Sequence, residues 1–413
     1  MKISKEILKD LTKKHSVVLH LFVSIILAAS LVLNGVSFAQ DAIANKAALE
    51  AANTESLETI EETETLKKPE SISVAVYPYV SNMELFHKVL TEMWREIEPD
   101  VTLNYVNWDC YSDPYPNNID VITYDALFLS SLVENKYVQP LNVDSIDNTY
   151  GILSFAMDGA HENGTLYGLP FLACTSLLIH RADDEAMSKV TNYGELCKEL
   201  AARKKLDPND GLQSGYYVDA PYLYLDALAD YNSAYSTYEE GLSMETPDEV
   251  IVSRLHEIRD VLAPIVENES FRERFGRGEG SACTDYSEAL YFMGDAATEM
   301  TVRPISFFEG ENIQMFFTDL ASICSHVTDP AKLECCMKLI NLMASEEFQY
   351  ELCFGTGDIQ YMLPAREQVY VAAKEKYPIY ETLYELATDK NNRVYRFGPT
   401  IYDYIRDAGI ALS

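Results

Sequence analysis

A thiol becomes a nucleophile where something takes its proton, so a cysteine and a base are the first pair to seek in this chain. Cysteines stand at 110, 174, 197, 283, 324, 335, 336 and 353. Cys174, just beyond Gly168-Leu169-Pro170 in GLPFLACTSLL, is the candidate nucleophile, and Glu288 in TDYSEALYFMG is the candidate base. Each has a plainer reading. Free cysteines mostly act as small buried hydrophobes, and a Glu at this position ordinarily belongs to the first turn of a helix, here one beginning near Ser287. That helix terminus would lower the carboxyl pKa and oppose general-base work unless burial in a closed cleft offset it. Tyrosine is abundant, 28 in all. Its π face attracts cations and stacks on flat rings, although many of these side chains must be packing.

Other chemistries find little support. Seven scattered His without HExxH argue against a metallohydrolase, and no glycine-rich phosphate loop precedes a helix, so neither metal nor cofactor is expected. GRGEG at 276–280 reads as a turn. The cysteines show neither a zinc pattern nor the spacing of a small disulfide scaffold. If one is catalytic, an odd seven remain, so at least one more is free or pairs between molecules.

The elements that must hold these residues are legible at the start of the globular part. SISVAVYPYV is β-branched and alternating, a strand ending at Pro78; Asn82 caps the amphipathic MELFHKVLTEMWREI, which stops before Pro99. VTLNYVNW and IDVITYD are further strands, the latter leading into the helix ALFLSSLVEN, which Asp125 could cap. Strands alternating with helices at this spacing imply parallel βαβ units in an open α/β sheet.

Lys2, Lys5, Lys9, Lys13 and Lys14 precede an apolar run from Val17 to Leu33, and Ser37-Phe38-Ala39 supplies a cleavage site, so residues 1–39 read as a signal peptide. A secreted or periplasmic protein without a stable membrane anchor is expected. Residues 40–70 contain no aromatic residue and read as a flexible linker. Net charge is −33. Loss of the lysine-rich leader makes the chain more acidic still, which excludes nucleic acid as a partner and favours a small cation.

DVITYDALFLSSLVENKYVQPL followed by YGLPFLACTSLLIHR resembles the first lobe of a solute-binding protein and its crossing into the second, and DLASICSHVTDPAKLECCMKLINLMASEEFQ resembles the return. The implied fold is α/β, two-lobed and periplasmic-binding-protein-like (type II), with a ligand cleft between the lobes. Lobe I would take residues 71–171 with 319–346, and lobe II residues 172–318 with 347–413, with hinges near 171–174 and 317–321.

Within that fold, GLPFLACTSLL and YSE, with YPYV, WDCYS, DALFL, Thr318-Asp319, YMLPAREQVY, YPIYETL and NRVYRFGP in the same order, resemble the thiaminase I family. The resemblance implies that Cys174 attacks the pyrimidine of thiamine, that Glu288 takes its proton, and that the thiazole is exchanged for an amine or thiol co-substrate. It places Asp125 and Asp319 on the aminopyrimidine and Tyr77, Tyr79, Tyr111 and Tyr286 along the cleft. Phe317 and Phe271 stand where tyrosines are expected, keeping stacking but losing a hydroxyl. A monomer is expected. The rival reading is a carrier that delivers thiamine or a related cation to a transporter, with Cys174 inert; an amino-sugar carrier would explain the tyrosines but not two aspartates and a thiol.

Overall fold

The protein is described from a computed structural model covering residues 67–76, 78–231, 242, 244–310, 313–355 and 357–412. The leader, most of the linker and Tyr77 lie outside the described residues. The chain divides into Met1–Leu66 and Lys67–Ser413. Every described element belongs to the second unit.

Its first elements are β1 (Ser71–Val76), α1 (Met83–Ile97), β2 (Thr102–Asn107) and β3 (Val121–Asp125). Helix α1 starts where the extended Asn82 accepts the Leu85 N–H at 3.0 Å. It buries Phe86, Val89, Leu90 and Trp94, and the Trp94 indole donates to the Val101 carbonyl at 2.7 Å. That bond fixes the turn into β2. Strand β1 pairs parallel with both β2 and β3, as the alternating pattern requires. Next to it, the buried Glu98 carboxylate is held by Lys68 at 2.6 Å and Lys338 at 2.7 Å, so the described end of the linker is tied to this lobe.

Strand β4 (Gly168–Cys174) ends the first pass through the lobe. The chain then builds a second sheet from β5 (Leu177–Arg181), β6 (Leu212–Ser214), β7 (Ala282–Asp285) and β8 (Met300–Arg303), with α2 (Tyr216–Tyr231), α3 (Phe271–Gly276) and α4 (Ala289–Met293) around it. It returns through β9 (Met315–Ile323), α5 (Pro330–Met343), β10 (Leu363–Pro364), β11 (Arg393–Val394) and α6 (Ile401–Leu412). The large sheet has the order β10-β4-β9-β3-β1-β2 with β11 added to β9, and the small sheet the order β8-β5-β7-β6. Two sheets joined by two crossings give the two-lobed α/β fold.

Two boundaries differ from the sequence reading. Strands β4 and β9 stay in the large sheet as far as Cys174 and Met315, because Phe317 still pairs with Cys174. The crossings are therefore 175–176 and 313–314, stitched by Thr175 Oγ1 donating to the Met315 carbonyl at 2.6 Å and Gln314 Nε2 to the Ser176 carbonyl at 3.1 Å. Residues 347–413 do not belong wholly with the second sheet either, since β10 pairs with β4 and β11 with β9. Helix α6 reaches the other lobe, where the Tyr404 hydroxyl donates to the Pro221 carbonyl of α2 at 2.6 Å.

Candidate active site

Ladder register assembles the first half of the site. Cys174 lies opposite Phe317, and Asp319 lies opposite Asp125. Side chains alternate along a strand, so Phe317 and Asp319 share a face, and their cross-strand partners Cys174 and Asp125 join them on it. Four of the residues singled out from sequence thus stand together at one end of one sheet.

Glu288 comes from the other lobe. Leu177 pairs with Asp285, so Cys174, three residues before one, and Glu288, three after the other, leave the same rung toward the cleft. The strongest charge acting on the Cys174 thiol is the Glu288 carboxylate, followed by Asp319, Asp125 and Asp285. Burial and these anions hold the thiol well above its usual pKa, so it rests protonated and needs a base. Glu288 is pushed up to about 7, chiefly by burial and then by Asp285, against lowering by its own backbone N–H, Arg272 and Ser287. Burial outweighs the helix terminus partly because α4 has just five residues. A carboxyl that gains and loses a proton near neutrality suits a general base.

Asp125 does cap the turn after it, accepting the Leu127 N–H at 3.0 Å, and its other oxygen accepts the Tyr111 hydroxyl at 2.8 Å. Burial nevertheless raises it to about 7. Tyr79 meets Tyr111 edge-on at 5.5 Å and is 57 % exposed, placing it at the cleft mouth. Tyr286 stands perpendicular to Phe317 at 5.8 Å. Phe271 sits farther along, under the Arg272 guanidinium at 5.1 Å. Cys110 is buried and free, and burial pushes its thiol up; it does not share the exposure of Cys174. Among the described residues, no group of three His, Cys, Asp or Glu is arranged to hold a metal ion.

Helix α2 supplies a wall that the sequence reading missed. Asp219, Tyr222 and Asp226, at helical spacing, line a cavity with Asp285, Tyr286 and Phe317. Asp219 is raised to about 7 by burial, then by Asp285, while Asp226 hydrogen-bonds to Tyr395. The Tyr222 ring bridges Tyr111 at 5.9 Å and Phe317 at 5.6 Å, and Tyr395 lies 4.1 Å from Phe317. A Cβ at Gly215, at the foot of this helix, would push the Asp219 carboxylate aside. The cleft is thus an aromatic channel ringed by carboxylates, in which Arg272, paired with Asp285 at 3.0 Å, is the neighbouring cation.

Residues 112–382 match the bacterial extracellular solute-binding protein family. The chain is 33 % identical over 356 residues to Thiaminase-1 of Paenibacillus thiaminolyticus, covering 82 % of this chain and 86 % of that one. The chain belongs to the thiaminase I family. Two solved structures agree: thiaminase I from Bacillus thiaminolyticus at 32 % identity and a TM-score of 0.76, over 83 % of this chain and all of that one, and Clostridium botulinum thiaminase I in complex with thiamin at 30 % and 0.76, over 83 % and 98 %.

Proposed function

We propose that this chain is a secreted thiamine-cleaving transferase in which Cys174 is the nucleophile and Glu288 its base. The observation that carries the reading is their placement: Cys174 at the end of β4 and Glu288 just past β7, with the Glu288 carboxylate the strongest charge acting on the thiol. Thiamine is a fixed cation. Its arrival among Asp125, Asp319, Asp219 and Asp285 favours the charged form of an acid beside it, so the substrate helps to keep Glu288 ionised as the base and eases formation of the Cys174 thiolate, whose proton Glu288 takes. The sulfur then bonds to a pyrimidine ring carbon. The bond from the methylene bridge to the thiazolium nitrogen breaks, its electron pair neutralising the thiazole. An amine or thiol bonds to the methylene and gives up its proton, after which the carbon–sulfur bond breaks and Glu288 returns the proton to Cys174.

In this reading Asp125 and Asp319 hold the aminopyrimidine, and Tyr79, Tyr111, Tyr286, Phe317 and Phe271 flank the rings, a set to which the family resemblance adds Tyr77. The enzyme works as a monomer without cofactor. Its lobes are the large-sheet and small-sheet lobes, which meet at the crossings 175–176 and 313–314. The leader 1–39 directs export; among the described residues no helix is long and apolar enough to cross a membrane. The test is incubation with thiamine and an amine or a thiol. Free thiazole and the pyrimidine adduct are expected; saturable binding with no thiazole released would make the protein a carrier.

A further inference from the structure

Glu288 belongs to the small-sheet lobe, yet the residues on either side of it are fastened to the large-sheet lobe. One position before it, the fully buried Ser287 donates its hydroxyl to the Tyr361 carbonyl at 2.6 Å. Tyr361 lies two residues before β10, which pairs with β4. Three positions after Glu288, the Tyr291 hydroxyl receives Asn82 Nδ2 at 3.3 Å. The amide of Asn82 can face Tyr291 with its nitrogen because its oxygen is committed to capping α1. Ser81, beside it, donates to the Gln360 carbonyl at 2.8 Å, so both attachment points are themselves joined.

We propose that Ser287 and Tyr291 are positioning residues that clasp the Glu288 segment to the large-sheet lobe and so hold the carboxylate against Cys174. The attachment is built at a cost. Tyr361 has φ of 54°, the left-handed region that a bulky side chain rarely adopts, and such strain persists where surrounding structure enforces it. The left-handed turn lies at the residue whose carbonyl receives the Ser287 hydroxyl. Because the two bonds bracket Glu288, neither alone fixes its direction, whereas together they leave the side chain little freedom relative to the sulfur. The clasp crosses between lobes, so it forms on closure and completes the nucleophile–base pair at that moment.

This inference rests on the proposed roles of Cys174 and Glu288, and the experiment separates the two. Ser287→Ala and Tyr291→Phe each remove one hydroxyl, and Tyr291→Phe leaves the Asn82 cap of α1 intact. Turnover of thiamine per folded molecule should fall about 10-fold to 100-fold in each, the scale of a misplacement near 1 Å, with KM little changed. Independently of thiamine, alkylation of Cys174 by iodoacetamide, followed by mass spectrometry, should show a step near pH 7 in the parent protein that disappears in both variants. Wild-type turnover and an unchanged alkylation profile in both variants overturn the clasp, as does a raised KM at unchanged kcat. Loss of the alkylation step in a protein that cleaves no thiamine keeps the clasp and removes the proposed reaction.

Discussion

Glu288 sets the expected pH response of the chemistry. Its carboxyl titrates near 7 in the empty cleft, and the base must be ionised to act, so kcat/KM should rise as pH passes about 7. The limb in kcat should lie at lower pH, because a bound cation stabilises the carboxylate. A kcat/KM that stays level from pH 5.5 to 8.5 would remove Glu288 from this role. Glu288→Gln should cost about 10²- to 10⁴-fold in rate, the usual worth of a positioned base, with little change in thermal midpoint. Cys174→Ser should abolish cleavage, whereas Cys110→Ser, at a thiol that is fully buried, should be nearly silent in the same assay. Cys174 and Glu288 could be singled out in the sequence because each sits in a recognisable motif, GLPFLACTSLL and YSE. Asp219, Tyr222 and Asp226 could not be, since YYVDAPYLYLDALADY carries no motif that marks them. Their burial depends on α6 and the cleft, contacts made far away in sequence.

Strands β3, β4 and β9 bring residues from three separate stretches of sequence onto one face, and the register does so to the residue. Asp319 and Asp125 are directly opposed, a pairing of like charges that destabilises a sheet unless a cation or a proton intervenes. Burial has already pushed Asp125 up to about 7. Asp125→Asn can still cap Leu127 and meet Tyr111, and Asp319→Asn keeps the shape, so both should fold. Each should weaken binding of thiamine to the Cys174→Ser protein by about 1–3 kcal/mol, the worth of a charged hydrogen bond in a dry site. Calorimetric titration checks this, and unchanged affinity in both would take the aspartates out of the substrate site. The first βαβ unit was readable because β-branched alternation, the Asn82 cap and Pro99 all agree. Strands β10 and β11 were not: two residues each, they are too short to show any period, and only their partners in β4 and β9 make them strands. The crossings moved for a related reason, since LACT is as apolar inside a sheet as at a hinge.

Within an acidic chain, read in the sequence as favouring a small cation, the fold buries several carboxylates at the cleft, and this ties stability to ligand charge. Asp125 and Asp219 are raised from an ordinary 3.8 to about 7, and Glu288 from 4.5 to about 7, in each case by burial first. Between about pH 4 and 7 the folded chain therefore binds protons that the unfolded chain has lost, and stability falls as pH rises through that window. Asp184 works in the opposite sense: Arg203 lowers it to about 2, a contribution present above 3.8 and lost in stronger acid. The empty protein should accordingly melt highest in weak acid and lower at pH 8. A cation in the cleft replaces the missing protons, so it should restore at pH 8 what the carboxylates lost. With the Cys174→Ser protein, saturating thiamine should raise the melting temperature more at pH 8 than at pH 5.5, beyond the increment that binding alone supplies. An uncharged carbon isostere of thiamine shares the aminopyrimidine, which controls for titration of that ring, and lacks the fixed charge. It should stabilise by nearly the same amount at both pH values. Equal pH dependence for the two ligands would mean that the buried carboxylates do not face the thiazolium, and that the cation is recognised by the aromatic faces of Tyr111, Tyr222 and Tyr286 instead.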